Sequence, residues 1–128
     1  MAEGIARARY GDRATFASAG TMAVRGSPPT EAAVVAAGEF GVDINTIRAA
    51  GLAKSTDPLP DKIYVMTARH VAAVQRAIPG LAERVELLDP EGDIADPYGF
   101  DLDFYRGTRD QIAAAIDRRA AEWDTADR

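Results

Sequence analysis

The sequence Asp96-Pro97-Tyr98-Gly99 combines residue types that could take part in acid–base chemistry on an aromatic substrate. A carboxyl group that is partly shielded from water has a raised pKa and can act as a proton donor. The ring of Tyr98 could flank an aromatic group, while Pro97 restricts the backbone. The same residues are equally typical of a type I turn with a solvated aspartate. Residue types and spacing leave both interpretations open.

Small and hydroxyl-bearing residues follow one another in Ser18-Ala19-Gly20-Thr21. The hydroxyl groups could support a neighbouring loop by hydrogen bonds, and Gly20 could permit a close approach of the backbone. A plain transition from a strand to a loop has the same composition. The segment is therefore a candidate for positioning a site rather than for performing its chemistry.

Other familiar site chemistries are not supported by the sequence. The acidic loop after position 88 lacks the calcium-binding pattern, because Gly92 is not at the sixth loop position and no glutamate follows at the twelfth. His70 is the only histidine, and no Gly-x-Ser-x-Gly turn accompanies it, so a surface or capping role is predicted. The glycines do not have the spacing of a dinucleotide fingerprint. No metal and no cofactor are expected.

Composition excludes further classes of function. The 128 residues include no cysteine, which rules out a disulfide framework, a thiolate nucleophile and a cysteine-type zinc site within the sequence given. A formal charge of −5 argues against nucleic acid or anionic lipid as a partner, since both require a basic field. No apolar stretch approaches the length of a membrane span, and the start lacks the features of a signal peptide. These observations predict a soluble, cytoplasmic protein, and its scarcity of lysine is typical of a GC-rich bacterial genome.

Apolar periodicity and turn residues divide the chain into alternating helices and strands. Helices are predicted at 1–10, 30–40, 67–78 and 102–123, and strands are predicted at 15–19, 62–66 and 85–88. A short helical turn capped by Asn45 is predicted after the second helix. The strand 62–66 is apolar without alternation, which is typical of a strand covered on both faces, and the alternation of strands with helices indicates a parallel sheet. The expected fold is therefore a single α/β domain over residues 1–128, a three-layer α/β/α arrangement whose ligands bind at the carboxyl ends of the strands.

The order of several short motifs resembles the low-molecular-weight protein-tyrosine phosphatase family, which shares its fold with arsenate reductases. The resemblance covers nearly the whole chain, and the matching segments are 1–6, 16–21 with Ala23, Gly26 and Pro28, 41–43 with Arg48, Ala49 and Leu52, 61–67, and 96–99 with Tyr105 and Ile112. It implies that Asp96 is the general acid and base, that Tyr98 flanks the substrate, and that Ser18 supports the phosphate loop. The nucleophile of this family is a cysteine, in a loop that reads Cys, five residues, Arg, Ser or Thr, and Pro.

The chain departs from the family pattern at its start. Met1 matches the residue that follows the phosphate-loop proline, so the resemblance implies that the first strand, the cysteine and the arginine lie outside this chain. The first helix also lacks a Ser, Thr, Asp or Asn at its start to accept from its free amide groups. Ile47 stands where many bacterial members carry a histidine that braces the phosphate loop. The missing strand would be central in the sheet, between 15–19 and 62–66.

The leading hypothesis is a phosphatase that hydrolyses a phosphotyrosine protein or a small aryl phosphate through a phosphocysteine in a longer natural form. The chain as given is expected to be inactive. The alternative is a non-catalytic binding or dimerising module, and arsenate reduction is disfavoured because the family's extra redox cysteines are absent. Each buried backbone group without a partner costs about 1–3 kcal/mol, so we expect marginal stability or a homo-oligomer formed through unpaired strand edges.

Overall fold

The computed structural model describes residues 1–20, 24–52 and 59–126, with side chains described as far as Trp123. Its helices are α1 (Ala2–Tyr10), α2 (Glu31–Gly38), α3 (Ala68–Ala77) and α4 (Leu102–Ala126), and its strands are β1 (Ile63–Val65) and β2 (Val85–Leu87), with a 3-10 helix at Pro79–Arg84. Among the helices of these ranges, none is both long and apolar enough to cross a membrane.

The two strands form a parallel pair in which Ile63 lies opposite Val85 and Val65 lies opposite Leu87. Helix α3 supplies the crossover between them, as a parallel connection requires. Its first turn is capped by Thr67, whose Oγ1 accepts a hydrogen bond from the amide of His70. The predicted strands 62–66 and 85–88 and the predicted helix 67–78 are confirmed, with each strand shorter than expected.

The strand pair separates two apolar clusters, as the three-layer prediction requires. Val65 and Val85 pack with Val74 of α3 on one face. Tyr64, Met66 and Leu88 contribute to the larger cluster on the other face, which is built mainly from α1, α2 and α4. Because alternate residues of a strand point to opposite faces, this division follows directly from the register. The prediction of an α/β fold with a parallel sheet is confirmed.

The last helix, α4, carries the predicted apolar stripe into the larger cluster. Tyr105, Ile112 and Ile116 are each at most 5% exposed, and Leu102 lies half-buried beside them. At the far end of α4, the indole of Trp123 donates a hydrogen bond of 2.8 Å to the hydroxyl of Tyr64. The ring of Trp123 also contacts Phe16, with ring centres 5.6 Å apart. Helix α4 therefore joins the sheet to the segment that follows α1.

The predicted strand 15–19 is not formed. Residues 14–19 have no strand pairing, and only Gly20, in an isolated parallel bridge with Gly51, makes one nearby. The carbonyl oxygen of Phe16 instead accepts hydrogen bonds from the guanidinium of Arg7. A strand requires a ladder with a neighbour, and within the described residues no strand lies beside this segment.

The predicted capping role of Asn45 is also wrong. The carboxylate of Asp43 accepts hydrogen bonds from both the amide and the side chain of Asn45, so Asp43 is the residue that forms the turn. Asp and Asn compete for the same local role, because each can accept from an amide two residues further on. The predicted turn is present, but the side chain that accepts its hydrogen bond is that of Asp43, two residues before Asn45.

Candidate active site

The loop between β2 and α4 is fixed at the carboxyl end of β1 by main-chain hydrogen bonds. The amide of Leu88 donates to the carbonyl of Val65 at 2.8 Å, and the amide of Ile94 donates to the carbonyl of Met66 at 2.8 Å. Ile94 is 1% exposed and is part of the larger apolar cluster. The residues that follow Ile94 therefore lie at the end of the sheet where parallel α/β folds bind their ligands.

The same loop is attached to α3 and α4 by its acidic residues. Asp93 accepts a hydrogen bond of 2.9 Å from the amide of Ala68, at the first turn of α3. Asp89 accepts from the side chain of Gln111 and from the amide of Glu91, and these hydrogen bonds lower the pKa of Asp89. In the described ranges, no group of three His, Cys, Asp or Glu side chains is placed to hold a metal ion.

Asp96 is exposed at the start of a tight double turn. Its Oδ1 accepts a hydrogen bond of 3.0 Å from the amide of Tyr98, and the amide of Phe100 donates to the carbonyl of Pro97 at 3.0 Å. Gly99 has a φ of +86°, so the second turn, from Pro97 to Phe100, is type II. The carboxyl group is therefore oriented by the backbone and open to solvent, and it is not shielded from water by its neighbours.

Aromatic side chains project from the same loop. Tyr98 is 73% exposed and Phe100 is 60% exposed. The ring of Phe100 stacks on that of Phe104 in the first turn of α4, with ring centres 4.4 Å apart. Sequence reasoning identified Tyr98 but missed the phenylalanine pair. A signal was present, because Phe104 lies off the apolar stripe that begins at Leu102 and Tyr105.

Ser18 lies beside the first turn of α1. Its hydroxyl donates a hydrogen bond to the carboxylate of Glu3, which also forms an ion pair of 3.1 Å with Arg7. The main chain of α1 begins at Met1 without a capping side chain, as the sequence indicated. Burial lowers the pKa of the α-amino group of Met1, and the nearby Glu3 opposes that shift. Ser18 therefore belongs to the surroundings of the α1 start.

The start of α1 and the loop that carries Asp96 rest on one core. Met1 and Ile5 of the first segment pack in the same apolar cluster as Met66 and Ile94. Ile47 packs against this cluster as well, and its hydrocarbon side chain can donate no hydrogen bond to a loop at this position. The loop that carries Asp96 and the start of α1 are therefore anchored to the same core.

An open groove of about 300 Å³ lies on a different part of the surface. It runs between α1, where Gly4 and Arg7 line it, and the segment that includes Asp43 and Thr46. None of its lining residues comes from the loop that carries Asp96. The groove is a feature of the α1 surface and not an extension of the candidate site.

The family of the chain is established by comparison with models of protein families. A family model described as low molecular weight phosphotyrosine protein phosphatase matches residues 1–126. The chain belongs to this family. The resemblance drawn from the order of the motifs is confirmed.

Individual relatives of this phosphatase-family chain are bacterial. A protein-arginine-phosphatase of Geobacillus stearothermophilus is 29% identical over 113 residues, which cover 84% of this chain and 76% of that protein. The solved YwlE arginine phosphatase of the same organism has a TM-score of 0.90 at 26% identity, covering 98% of this chain and 84% of that one. The low molecular weight protein tyrosine phosphatase of T. tengcongensis has a TM-score of 0.85 at 28% identity, covering 94% and 88%.

A further structural relative of this phosphatase-family member was solved with a ligand. Wzb of Vibrio vulnificus, in complex with benzylphosphonate, has a TM-score of 0.86 at 25% identity and covers 94% of this chain and 87% of that one. The relatives of the chain are thus protein phosphatases, and the prediction of a hydrolase family is confirmed. The positions of Asp96, Tyr98 and Ser18 are taken from the structure of this chain itself.

Proposed function

We propose that this protein, in a longer natural form, hydrolyses the phosphate ester of phosphotyrosine or of a small aryl phosphate in the cytoplasm. The observation that carries the proposal is the position of Asp96. Its exposed carboxyl group is held by the amide of Tyr98 at the carboxyl end of β1, in a chain of a phosphatase family. An oriented carboxyl group within reach of a bound ester is what proton transfer to a leaving oxygen requires.

The chemistry divides into two steps. In the first, the cysteine of the longer form attacks phosphorus, the bond from phosphorus to the phenolic oxygen breaks, and Asp96 gives its proton to that oxygen. In the second, water attacks the phosphocysteine, Asp96 takes the water proton, and the sulfur–phosphorus bond breaks. The exposure of Asp96 suits this role, because the group exchanges a proton once in each direction during a turnover.

Tyr98 and Ser18 have supporting roles in this proposal. The exposed ring of Tyr98, two residues after Asp96, flanks the aromatic ring of the substrate. Ser18 supports the phosphate loop of the longer form from beside the first turn of α1, where it now donates to Glu3. Anions bind at the start of a helix because free amide groups and the helix dipole converge there, so this turn is a suitable support for a phosphate loop.

The longer form is supported by features at two places in the fold. The sequence contains no cysteine, and the α-amino group of Met1 is desolvated. Residues 14–19, which lie exposed apart from Phe16, have no strand neighbour among the described residues. A central strand placed before Met1 would cover both places. The intact mass of the protein isolated from its source tests this proposal. A natural product that consists of residues 1–128 alone would contradict it.

Asp96→Asn in the longer form tests the mechanism. General acid–base catalysis is worth about 10²–10⁴ in rate, so we expect a loss of kcat/KM in that range for phosphotyrosine, with a smaller loss of kcat/KM for p-nitrophenyl phosphate, whose leaving group needs little protonation. Asp12→Asn makes the same chemical change at an exposed residue after α1 and serves as the matched control. Equal losses for both esters would show that Asp96 is not the proton donor.

The chain as given is proposed to be inactive, and a non-catalytic binding or dimerising module is the alternative. The two proposals differ in the natural protein. A phosphatase turns over an aryl phosphate and depends on Asp96, whereas a binding module shows no turnover and no effect of Asp96→Asn. Phosphatase assays of the natural product and of its Asp96→Asn variant therefore separate them.

Phosphoarginine is a second candidate substrate, because two of the relatives described above are named arginine phosphatases. A phosphoramidate leaving group also needs a proton at nitrogen, which Asp96 could supply. The test is to measure kcat/KM of the longer form on two peptides that differ only in phosphotyrosine or phosphoarginine. A higher kcat/KM for the phosphoarginine peptide would identify phosphoarginine, rather than an aryl phosphate, as the substrate class.

A further inference from the structure

The stacked pair Phe100 and Phe104 forms an apolar surface next to the Asp96 turn. The two rings lie 4.4 Å apart at an interplanar angle of 18°, and the side chains remain 60% and 37% exposed. Their stacking covers one face of each ring, and part of each side chain remains exposed to water. Exposed aromatic residues that are clustered rather than scattered mark interaction surfaces in soluble proteins.

The segment that carries this pair is rich in acidic residues. Residues 89–104 include six acidic side chains and no basic one. Two of the six have cationic partners on α4, since Glu91 pairs with Arg118 and Asp103 pairs with Arg106. Asp93, Asp96 and Asp101 instead accept from main-chain amides, and no arginine or lysine of the described residues forms an ion pair with them.

Asp101 connects the charge to the aromatic pair. Its carboxylate accepts a hydrogen bond of 3.0 Å from the amide of Phe104 and thereby caps the first turn of α4. The capping hydrogen bond fixes the carboxylate of Asp101 at the start of the turn that carries Phe104. Aromatic faces and carboxylates both attract cations, through the ring quadrupole and through charge.

We propose that Phe100, Phe104 and Asp101 bind the segment of a protein substrate that flanks its phosphorylated residue, and that this segment is basic and apolar. This inference rests on the function proposed above and adds a substrate class to it. Lysine or arginine side chains cover the rings with their hydrocarbon stems and place their charged ends beside the carboxylates. An acidic segment is repelled by the same carboxylates, so the surface selects among substrates by charge.

The distance from the Asp96 turn fits a flanking segment. The hydrogen bond between the amide of Phe100 and the carbonyl of Pro97 closes the turn, so these two Cα atoms lie within about 7 Å of each other. An extended peptide advances about 3.3 Å per residue. A residue two or three positions from the phosphorylated one therefore reaches the aromatic pair.

Binding by the chain as given tests the proposal without any catalysis. The probe is a short fluorescein-labelled peptide in which tyrosine is flanked by lysine and leucine, and its partner carries glutamate in place of every lysine. We expect the basic peptide to bind at least about tenfold more tightly at low ionic strength, with the preference reduced at physiological salt. Equal affinities for the two peptides, or tighter binding of the acidic one, would overturn the proposal.

Variants locate the binding to the proposed surface. Phe100→Ser with Phe104→Ser, and separately Asp101→Asn, are each expected to weaken binding of the basic peptide severalfold. Asn keeps the capping acceptor of Asp101 while it removes the charge, so the fold of α4 is preserved. Leu59→Ser changes another exposed apolar residue, 67% exposed, and should leave the affinity unchanged. Unchanged binding in the double variant, with an unchanged circular dichroism spectrum, would place the peptide elsewhere.

Turnover in the longer form separates this inference from the proposed function. The double variant should raise KM for the basic phosphopeptide and leave kcat/KM for p-nitrophenyl phosphate unchanged, because that small ester has no flanking segment. If the small ester is hydrolysed but peptide charge has no effect on KM, the inference fails and the proposed function stands. If no ester is hydrolysed, the proposed function fails, and the peptide-binding result alone decides whether the surface recognises basic segments.

Discussion

Two buried arginines connect elements of this fold that are distant in sequence. Arg109 of α4 is 8% exposed, donates 3.0 Å to the carbonyl of Ala36 in α2, and lies 4.0 Å from the ring centre of Phe40. Arg119, also 8% exposed, donates to the carbonyl of Leu88 at the end of β2. A buried guanidinium is tolerated only when its donors are satisfied, and these donors join α4 to α2 and to the sheet.

Replacing Arg109 with methionine tests its contribution to stability. Arg109→Met keeps a long apolar side chain but removes the donors to Ala36 and Glu39, so we expect the free energy of unfolding to fall by about 1–3 kcal/mol. Arg106→Met is the matched control, because Arg106 binds the same Glu39 from a more exposed position and should cost less than about 1 kcal/mol. Urea unfolding of the two variants measures the difference. Equal costs would show that burial of Arg109 adds nothing.

The carboxylate of Glu39 makes stability depend on pH in a defined window. Hydrogen bonds from Arg106 and Arg109 lower the pKa of Glu39 from 4.5 to about 2. The folded state therefore holds this carboxylate ionised at pH values where the unfolded chain is already protonated. The stability that it contributes is complete above about pH 4.5, where both states are ionised, and is lost as the pH falls towards 2.

Glu39→Gln isolates this contribution. The variant cannot ionise at position 39, while other carboxylates with lowered pKa values, such as Asp43 and Asp89, titrate in both proteins and cancel. The difference in unfolding free energy between wild type and variant should stay constant from pH 7 to 5 and shrink between pH 4.5 and 2. Urea midpoints measured across this range provide the check. A difference that grows as the pH falls would contradict the assignment.

The residues that sequence reasoning could identify are those whose role is local. Asp96 and Tyr98 stand in one short motif, and their hydrogen bond spans only two positions. The contact of Arg109 with Ala36 spans 73 positions, and no pattern near either residue indicates it. Ser18 was identified through the resemblance, whereas its hydrogen bond to Glu3 depends on how the chain turns after α1. Hydrogen-bonded residues that are far apart in sequence can be identified only once the fold is known.

At the scale of elements, α2 ends in a Schellman motif that only glycine suits. The amide of Val42 donates to the carbonyl of Ala37, and the amide of Gly41 donates to the carbonyl of Gly38. Gly41 has a φ of +73°, in the left-handed region. This ending turns the chain back towards the core, where Val42 and Ile44 are buried. The end of α2 thus positions the segment that packs against the start of α1.

The same substitution at two neighbouring glycines should have opposite effects. Gly41→Ala forces a Cβ into the left-handed region and should destabilise the protein by about 1–2 kcal/mol. Gly38→Ala falls in the last turn of α2, where an added Cβ meets no atom within 4 Å, and should stabilise by up to about 1 kcal/mol. Thermal unfolding of both variants compares them directly. If both substitutions destabilise the protein, the higher helix propensity of alanine does not stabilise the helix at position 38.

The predicted helices and the two strands that pair with each other are present, and the predicted strand that has no neighbour among the described residues is absent. Helices α1, α3 and α4 have apolar periodicity or clear caps, and each is found within a few residues of its predicted range. The segment 15–19 has the composition of a strand, yet it forms none, because a strand exists only beside another strand. The composition of a segment indicates a preference for strand structure, but the segment forms a strand only where a neighbouring strand is present.

At the scale of the whole molecule, the sheet of the described residues consists of two strands with an open edge. The carbonyl of Val65 is used by Leu88, on the β2 side. Because successive residues of a strand direct their backbone groups to opposite edges, the N–H and C=O of Tyr64 face the other edge. Residues 14–19 form no regular secondary structure and lie exposed apart from Phe16, which is half-buried. Backbone groups along a strand edge that lacks a neighbouring strand favour association with another chain.

We therefore expect the chain as given to associate in a concentration-dependent way through these edges. Ala17→Lys places a charge on the exposed segment 14–19 and should weaken association, because a lysine on an edge strand opposes pairing between chains. Ala72→Lys adds the same charge to an exposed position of α3 and should leave association unchanged. Sedimentation velocity over a range of concentrations measures both. A protein that remains monomeric at all concentrations and unfolds cooperatively at high temperature would contradict this expectation, since its fold would then be complete without a partner for the open edge.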